Sequence, residues 1–520
     1  MRLGLLATFA LLVGALAGAA PAAAGDGLAR ALAEGDITEA EYTLERAESL
    51  FRLSAVRARY GDVTRPDPHE ATLLMRDLAV RLPELPPAAR ARANALLARP
   101  AADGRACGDA LCVHWAETGE DAPLGADGDP ATVPAWVTVN KAVFEFVWTQ
   151  EVGRLGYRAP LGDGTSAVNG GDARFDVYLT DIGDGGVYGY CATDDPAATG
   201  AAAKRQVSAY CAVDDDFDPA QFPEASGERA LAVTAAHEFF HAIQFGYDWR
   251  EDLWFLEGTA AWVEDEVYDD VNENVLYLLK ASALRHPAVP VDLSASGFQY
   301  GSWIFWRYLS ERFGAAIVRD SWDRAVGGEA YSIRAATAAL AARGASFRST
   351  FGDFAAANRM PSRRYQEGAT YPTAPAAGAS TLSRARPATG WRQGYVNHLA
   401  SLSLSLRPGK TVSRRSTLRV VLDGPPAGTA PQARALVFFA SGAVKVVRPT
   451  LDARGNRSFT TAFGRGVVRR VELVLVNSST AFRCGWGTAF SCGGLPVDER
   501  RLWRVRANVV WPPQVWTVRR

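Results

Sequence analysis

The sequence predicts a multidomain α+β protein, with a helix-rich N-terminal two-thirds built around a small sheet and a C-terminal all-β sandwich. Three observations carry that prediction. Long segments of helical apolar periodicity, with only a few strand-like runs among them, reach to about residue 365. The next stretch, 366–392, contains "YPTAPAAGASTLSRARPATG", whose Pro, Ala and Gly content is that of a linker. From residue 393 the runs alternate or are β-branched and are separated by turn residues, the pattern of an antiparallel sandwich. A chain of 520 residues, 48% hydrophobic and 22% charged, is long enough for several domains with a large core.

In chain order, residues 1–24 combine Arg2, an apolar run from Leu3 and small residues at Ala22 and Ala24. This is the pattern of a cleaved secretion signal, and it predicts an extracellular protein with no stable membrane association after cleavage. Residues 25–105 read as helices interrupted by "PDPHE" and "LPELPP"; a helical subdomain and a propeptide are both open readings. Residues 106–365 form the next unit. It starts with a strand in "LCVHWA", passes a polar turn in "GADGDPATVP", and continues as a helix from "AWVTVNKAVFEF" to Gly156. Strands in "RFDVYLTDIG" and "RQVSAYCAVDDDF" precede a run of helices. In the sandwich, 393–520, strands are expected in "HLASLSLSLRPG", "STLRVVLDGPP", "ARALVFFASGAVKVV" and "VRRVELVLVNSS". No catalytic grouping occurs there, so the sandwich is expected to be separable from any chemistry. The six cysteines fall as neighbours, Cys107/Cys112, Cys191/Cys211 and Cys484/Cys492, and an exported chain would close them as three local disulfides. With 56 basic and 57 acidic residues, the net charge of −1 gives no electrostatic basis for binding nucleic acid.

The chemistry concentrates in "LAVTAAHEFFHAIQFGYDW". At about 100° per residue, Thr234, His237, Glu238, His241 and Gln244 share one stripe of an otherwise apolar helix. A helix apolar on its other sides is buried, so that stripe faces either polar partners or an internal cleft. His237 and His241, at i and i+4, can direct two imidazoles at one metal ion, and Glu238 beside them can reach a water without being a ligand. Two histidines on a helix also occur as packed core residues; the glutamate between them favours the metal. A catalytic zinc needs a third protein ligand and one open position. The metzincin pattern is excluded, because Tyr247 stands where its third histidine would be. Downstream, "DLWFLEGTAAWVEDE" offers Glu257, with Glu264 seven residues on and on roughly the same helical face. Glu257 is taken as the third ligand and Glu264 as its alternative.

"HEFFH" followed by "LWFLEGTAAWVE" resembles the gluzincin metallopeptidases, with Trp254, Glu257, Gly258, Ala260 and Glu264 matching their Glu-Gly-x-Ala segment. More broadly, "LCVHWA" to "SERFG" is similar to secreted bacterial metalloproteases with a C-terminal β domain. The resemblance implies a zincin-like domain of a small sheet and active-site helices, one Zn2+ held by His237, His241 and Glu257, and Glu264 supporting the ligands from behind. It also implies a tyrosine that stabilises the oxyanion, for which Tyr300 in "FQYGSWIFWRYL" is the candidate and Tyr247 and Tyr268 are rivals. The 242–256 connection is shorter than in the aminopeptidase or thermolysin-like patterns. The Gly-x-Met-Glu-Asn segment that grips a free amino end is absent, which favours an endopeptidase.

The expected activity is therefore hydrolysis of a protein or peptide substrate by a zinc-activated water, with Glu238 as general base. The strand in "VSAYCAV" is expected to pair with the extended substrate. Two other classes stay open: a secreted binding or cell-surface protein with a structural zinc domain, and a zinc hydrolase of a non-peptide bond. Oxygen-rich "DDDFD" and "YDDVNEN" are of the kind Ca2+ takes, though neither has EF-hand spacing and turn or cap roles are the favoured account, which leaves Ca2+ optional.

Overall fold

The computed structural model describes residues 26–129, 131–164, 166–193, 205–223, 226–325 and 331–512, and the expected signal at 1–24 lies outside the described residues. The N-terminal region forms α1 (Gly27–Glu34), α2 (Glu39–Phe51), α3 (Leu53–Tyr60), α4 (Ala71–Arg81) and α5 (Pro87–Leu96). Local chemistry sets its boundaries. Asp26 accepts the amides of Leu28 and Ala29, Gly35 ends α1 with a φ of 79°, and Thr38 and Glu41 cap α2 reciprocally. The two proline-containing stretches become short 3-10 turns on either side of α4.

The following unit contains β1 (Gly104–Cys107), β2 (Leu111–Trp115), β3 (Phe175–Thr180), β4 (Gly189–Ala192) and β5 (Tyr210–Asp214). Their order is β1-β2-β3-β5-β4; β2, β3 and β5 run parallel, and β1 and β4 are antiparallel edges. Helix α6 (Ala135–Trp148), continued by a π turn at Thr149–Arg154, supplies the crossover from β2 to β3. The strand expected to take the substrate is β5, and here the expectation fails. Both edges of β5 are already paired, with β3 and with β4, so the edge without a strand partner on this side of the sheet belongs to β4. The three predicted disulfides form. Cys191–Cys211 joins β4 to β5, Cys107–Cys112 closes the β1–β2 hairpin, and Cys484–Cys492 clips a C-terminal loop.

Helix α7 (Gly227–Asp248) is buried continuously from Ala230 to Asp248, and α8 (Leu253–Val267) follows directly after the turn at 249–252. The remaining helices are α9 (Val275–Lys280), α10 (Phe298–Gly301), α11 (Trp303–Phe313), α12 (Ala316–Ala325), α13 (Ser332–Ala341) and α14 (Phe347–Ala357). Aromatic packing locks α8 in place: Phe255 stacks on Trp322 with centroids 4.0 Å apart, and Trp254 on Trp306 at 5.3 Å. Gly258 makes this approach feasible, because a Cβ there would stand 2.2 Å from Ser302 Oγ.

The C-terminal unit is a sandwich of two sheets. One contains β6 (Gly378–Leu382), β8 (Ala400–Pro408), β10 (Pro431–Phe439), β11 (Val444–Val447) and β13 (Val468–Asn477), in the order β11-β10-β13-β8-β6. The other contains β7 (Arg392–Val396), β9 (Thr417–Asp423), β12 (Asn456–Ala462) and β16 (Arg501–Val510), in the order β12-β9-β16-β7. Strands β14 (Phe482–Arg483) and β15 (Leu495–Pro496) form a separate small ribbon. Leu418, Val420, Ala435, Val437, Val471, Leu473 and Trp503 fill the space between the two sheets.

Two sequence expectations change here. Within the 366–392 stretch read as a linker, β6 pairs parallel with β8, so that segment belongs to the sandwich. The sandwich is also not loosely attached. Leu436, Phe438, Val474 and Val476, on the outer face of the first sheet, join the same core as Phe351 and Phe354 of α14. Buried ion pairs cross the seam, Arg434 with Asp353 at 2.6 Å and Arg359 with Glu472 at 2.8 Å. Among the described residues, no helix is long and apolar enough to cross a membrane.

Candidate metal centre

Helices α7 and α8 bring His237, His241 and Glu257 together, all buried, with ligand atoms within 4.8 Å of one another. His237 Nε2 lies 3.2 Å from Glu257 Oε2, and His241 Nε2 lies 3.4 Å from Glu257 Oε1. Ligands held about 2.0–2.1 Å from a tetrahedral ion stand roughly 3.3 Å apart, so these separations fit one zinc ion. The donor set supports the same reading. His241 Nε2 and Glu257 Oε1 are buried atoms with no hydrogen-bond partner, in a protein interior where such atoms are ordinarily satisfied.

The far sides of both imidazoles are fixed. His237 Nδ1 meets Glu264 Oε1 at 2.6 Å. His241 Nδ1 meets Gln244 Oε1 at 2.7 Å, while Gln244 Nε2 donates to Leu256 O at 2.9 Å and Thr259 Oγ1 at 3.0 Å. Because the Gln244 amide nitrogen is engaged as a donor, its oxygen must accept, which places the His241 proton on Nδ1 and leaves the Nε2 lone pair facing Glu257. Sequence reasoning placed Gln244 in the polar stripe but gave it no task. Its position three residues after His241 was the available signal.

Electrostatics agree with the geometry. Burial works against charge on His237, but Glu257 and Glu264 outweigh it and hold the imidazole well above its usual pKa. A cation at this point, whether proton or metal, thus balances the two carboxylates. Burial pushes His241 down, which keeps it neutral and suited to ligation. Burial raises Glu264 to about 7, with His237 pulling the other way.

Glu238 is next to the triad but outside it, and points towards β4, where Thr72 Oγ1 donates to its Oε2 at 2.7 Å. Gly189 lets β4 lie this close, since a Cβ there would meet Glu238 Cγ at 3.1 Å and Thr234 Cγ2 at 2.9 Å. Tyr300 is 2% exposed and its hydroxyl has no hydrogen-bond partner among the described residues. Burial, then the nearby Glu257, raise its pKa well above 10. The rivals point elsewhere: the Tyr247 hydroxyl accepts the Arg158 amide at 3.2 Å, and Tyr268 packs on Phe146. Of the oxygen-rich stretches, Asp214 and Asp215 approach Asp181, but Asp214 is occupied in accepting the amides of Asp216 and Phe217 as a turn cap.

No protein-family model and no curated protein matches the chain. Among solved structures it is similar to the pre-peptidase C-terminal domain of a collagenase from Bacillus anthracis, at 8% identity and a TM-score of 0.15, over 26% of this chain and 97% of that one. A GH115 4-O-methyl-alpha-glucuronidase specific for decorated arabinogalactans is similar at 10% identity and a TM-score of 0.14, over 55% of this chain and 38% of that one. At such scores neither likeness bears on the fold or the chemistry.

Proposed function

We propose that the protein is a secreted zinc-dependent endopeptidase, with His237, His241 and Glu257 as zinc ligands and Glu238 as general base. One observation carries the reading: buried ligand atoms of His237, His241 and Glu257 lie within 4.8 Å of one another, while the adjacent Glu238 stands outside the triad beside a sheet edge. A bound zinc would supply a water with a pKa near ~7 and a Lewis acid for the substrate carbonyl.

The chain's own groups do the rest. Glu238 removes the proton from the attacking water and returns it to the leaving amine, which a carboxylate beside but not on the ligand set can do. Tyr300 donates its unpartnered hydroxyl to the developing oxyanion. Strand β4 offers its outer edge to the backbone of an extended protein or peptide substrate. Glu264 and Gln244 hold the two imidazoles in register from behind. Three disulfides support an oxidising, extracellular setting.

The test is peptide hydrolysis by the purified chain lacking residues 1–24. Activity should vanish with chelator and return with added zinc. A zinc-loaded chain whose cleft admits a hydroxamate probe, yet which cuts no peptide in a mixed library, would refute the reading.

A further inference from the structure

Strand β4 has one strand neighbour, β5, and its other edge faces α4 of the N-terminal region. There the Cys191 amide donates to Thr72 Oγ1 at 2.8 Å, and the same hydroxyl donates to Glu238 Oε2 at 2.7 Å. Thr72 is 1% exposed. An edge amide that would bind a substrate carbonyl and the carboxylate that would activate water are thus joined through one side chain from another part of the sequence. The residues just before it lie against the groups around Tyr300. Glu70 Oε1 accepts from Gln299 Nε2 at 3.4 Å beside Tyr300, and its Oε2 pairs with Arg46 at 3.0 Å. The His69 ring stands 5.9 Å from each of Tyr188, Tyr277 and Tyr300, and Tyr277 and Tyr300 stack at 5.1 Å. Asp67 accepts from the His69 amide at 3.1 Å and meets its Nδ1 at 2.8 Å, which sets the ring's direction.

We infer that residues 67–72 cover the approach to Glu238 and the β4 edge, making the N-terminal helical region a built-in inhibitor, and that the open Tyr188/Tyr277/Tyr300 cage against which the partly exposed His69 ring packs is the subsite for a flat or cationic substrate side chain. The inference rests on the peptidase reading. Tyrosine faces stack on planar rings and attract cations, so histidine, arginine and aromatic side chains suit the cage better than small aliphatic ones. Covalent linkage gives the segment a high effective concentration at the cleft, so modest contacts suffice to exclude substrate.

The test uses the zinc-loaded full chain, compared with a His69→Ala/Thr72→Val variant. Association of a peptide hydroxamate, read by intrinsic fluorescence, and peptide hydrolysis should each be at least tenfold faster in the variant, with zinc content equal. Equal rates in both chains would overturn the blockade and leave the peptidase reading intact. A variant that binds the probe rapidly but hydrolyses nothing would do the reverse. On the parent chain, which needs no substitution, saturating hydroxamate should speed hydrogen exchange at the amides of 69–72 and Cys191; probe binding without that change also refutes the inference. For the cage, Tyr277→Ala should reduce the preference for histidine, arginine or tryptophan over alanine at one peptide position by at least tenfold. An unchanged preference would remove the subsite.

Discussion

Replacing Gln244 with Leu should separate metal affinity from folding. The buried Gln244 makes three contacts: its oxygen accepts from His241 Nδ1, and its nitrogen donates to Leu256 O and Thr259 Oγ1. Two of these partners survive the change. Leu256 O is a carbonyl inside α8, and Thr259 Oγ1 still donates to Phe255 O at 2.6 Å and accepts Trp322 Nε1 at 3.1 Å. Only the His241 Nδ1 proton is orphaned, and one buried unsatisfied donor costs about 1–3 kcal/mol. The histidine can relieve that cost by moving its proton to Nε2, towards Glu257, but this removes the lone pair that binds the metal. The penalty therefore falls on the zinc-bound state, and about 1.4–2.8 kcal/mol corresponds to a 10–100-fold weaker affinity. Zinc competition against a chromophoric chelator measures it, alongside melting temperature in excess EDTA. Gln244→Glu, which keeps an acceptor for Nδ1, should lose less. A folded Gln244→Leu chain with parental zinc affinity would refute the assigned orientation of His241.

Three further outcomes follow from the site and the seam. Glu238→Gln should fold and keep its zinc while hydrolysis falls by roughly 10²–10⁴, the range for lost general acid–base help; full activity in a zinc-loaded variant removes the catalytic role. Glu257→Ala should abolish tight zinc binding in a direct titration, whereas Glu264→Ala should weaken it about 10–100-fold, and the opposite ranking would make Glu264 the ligand. His398, buried in the seam between Asp292 and Glu499, is opposed by burial but raised to about 9 by those carboxylates. A folded pKa above the unfolded value gives stability that is full below about pH 6.5 and lost as pH rises through 9, at most about 3 kcal/mol. Denaturant midpoints at pH 6 and pH 9.5 should differ in the parent and converge in His398→Asn; parallel pH profiles would discount the pair.

Much of the architecture was written in periodicity. The 3.6-residue pattern found α6, α7, α8 and α11, and alternation found β3, β5, β8, β9 and β13, because each presents a face that must be buried. What escaped were elements whose burial comes from remote partners. The GASTL segment of β6 lies among Pro, Ala and Gly residues and buries only Leu382 fully, so composition outweighed its short alternation. The tight seam was equally hidden. Strands β10 and β13 are apolar on both faces at Leu436, Val437, Leu473 and Val474, a double-sided pattern that a free sandwich does not need and that foretells a neighbour on the second face.

The site divides along the same line. His237, Glu238 and His241 were readable because one helical turn fixes their relation whatever the rest of the chain does. Glu257 and Glu264 were not separable by spacing, since seven residues return to nearly the same face; the rotation of α8, set by Trp254, Phe255 and Gly258 against α11 and α12, gives the two carboxylates different partners. It turns Glu257 to both Nε2 atoms and gives Glu264 only Nδ1 of His237. The edge strand is the sharper case. The Cys191–Cys211 pairing, deduced from sequence, already put Cys191 beside β5, and "GVYGYCA" was too short and too glycine-rich to register as a strand by alternation. The pairing of β4 with β5 and its place at the end of the sheet emerge only from the fold. Thr72 lies beyond any such argument: it meets Glu238 across 166 residues, and only the folded chain brings the two together.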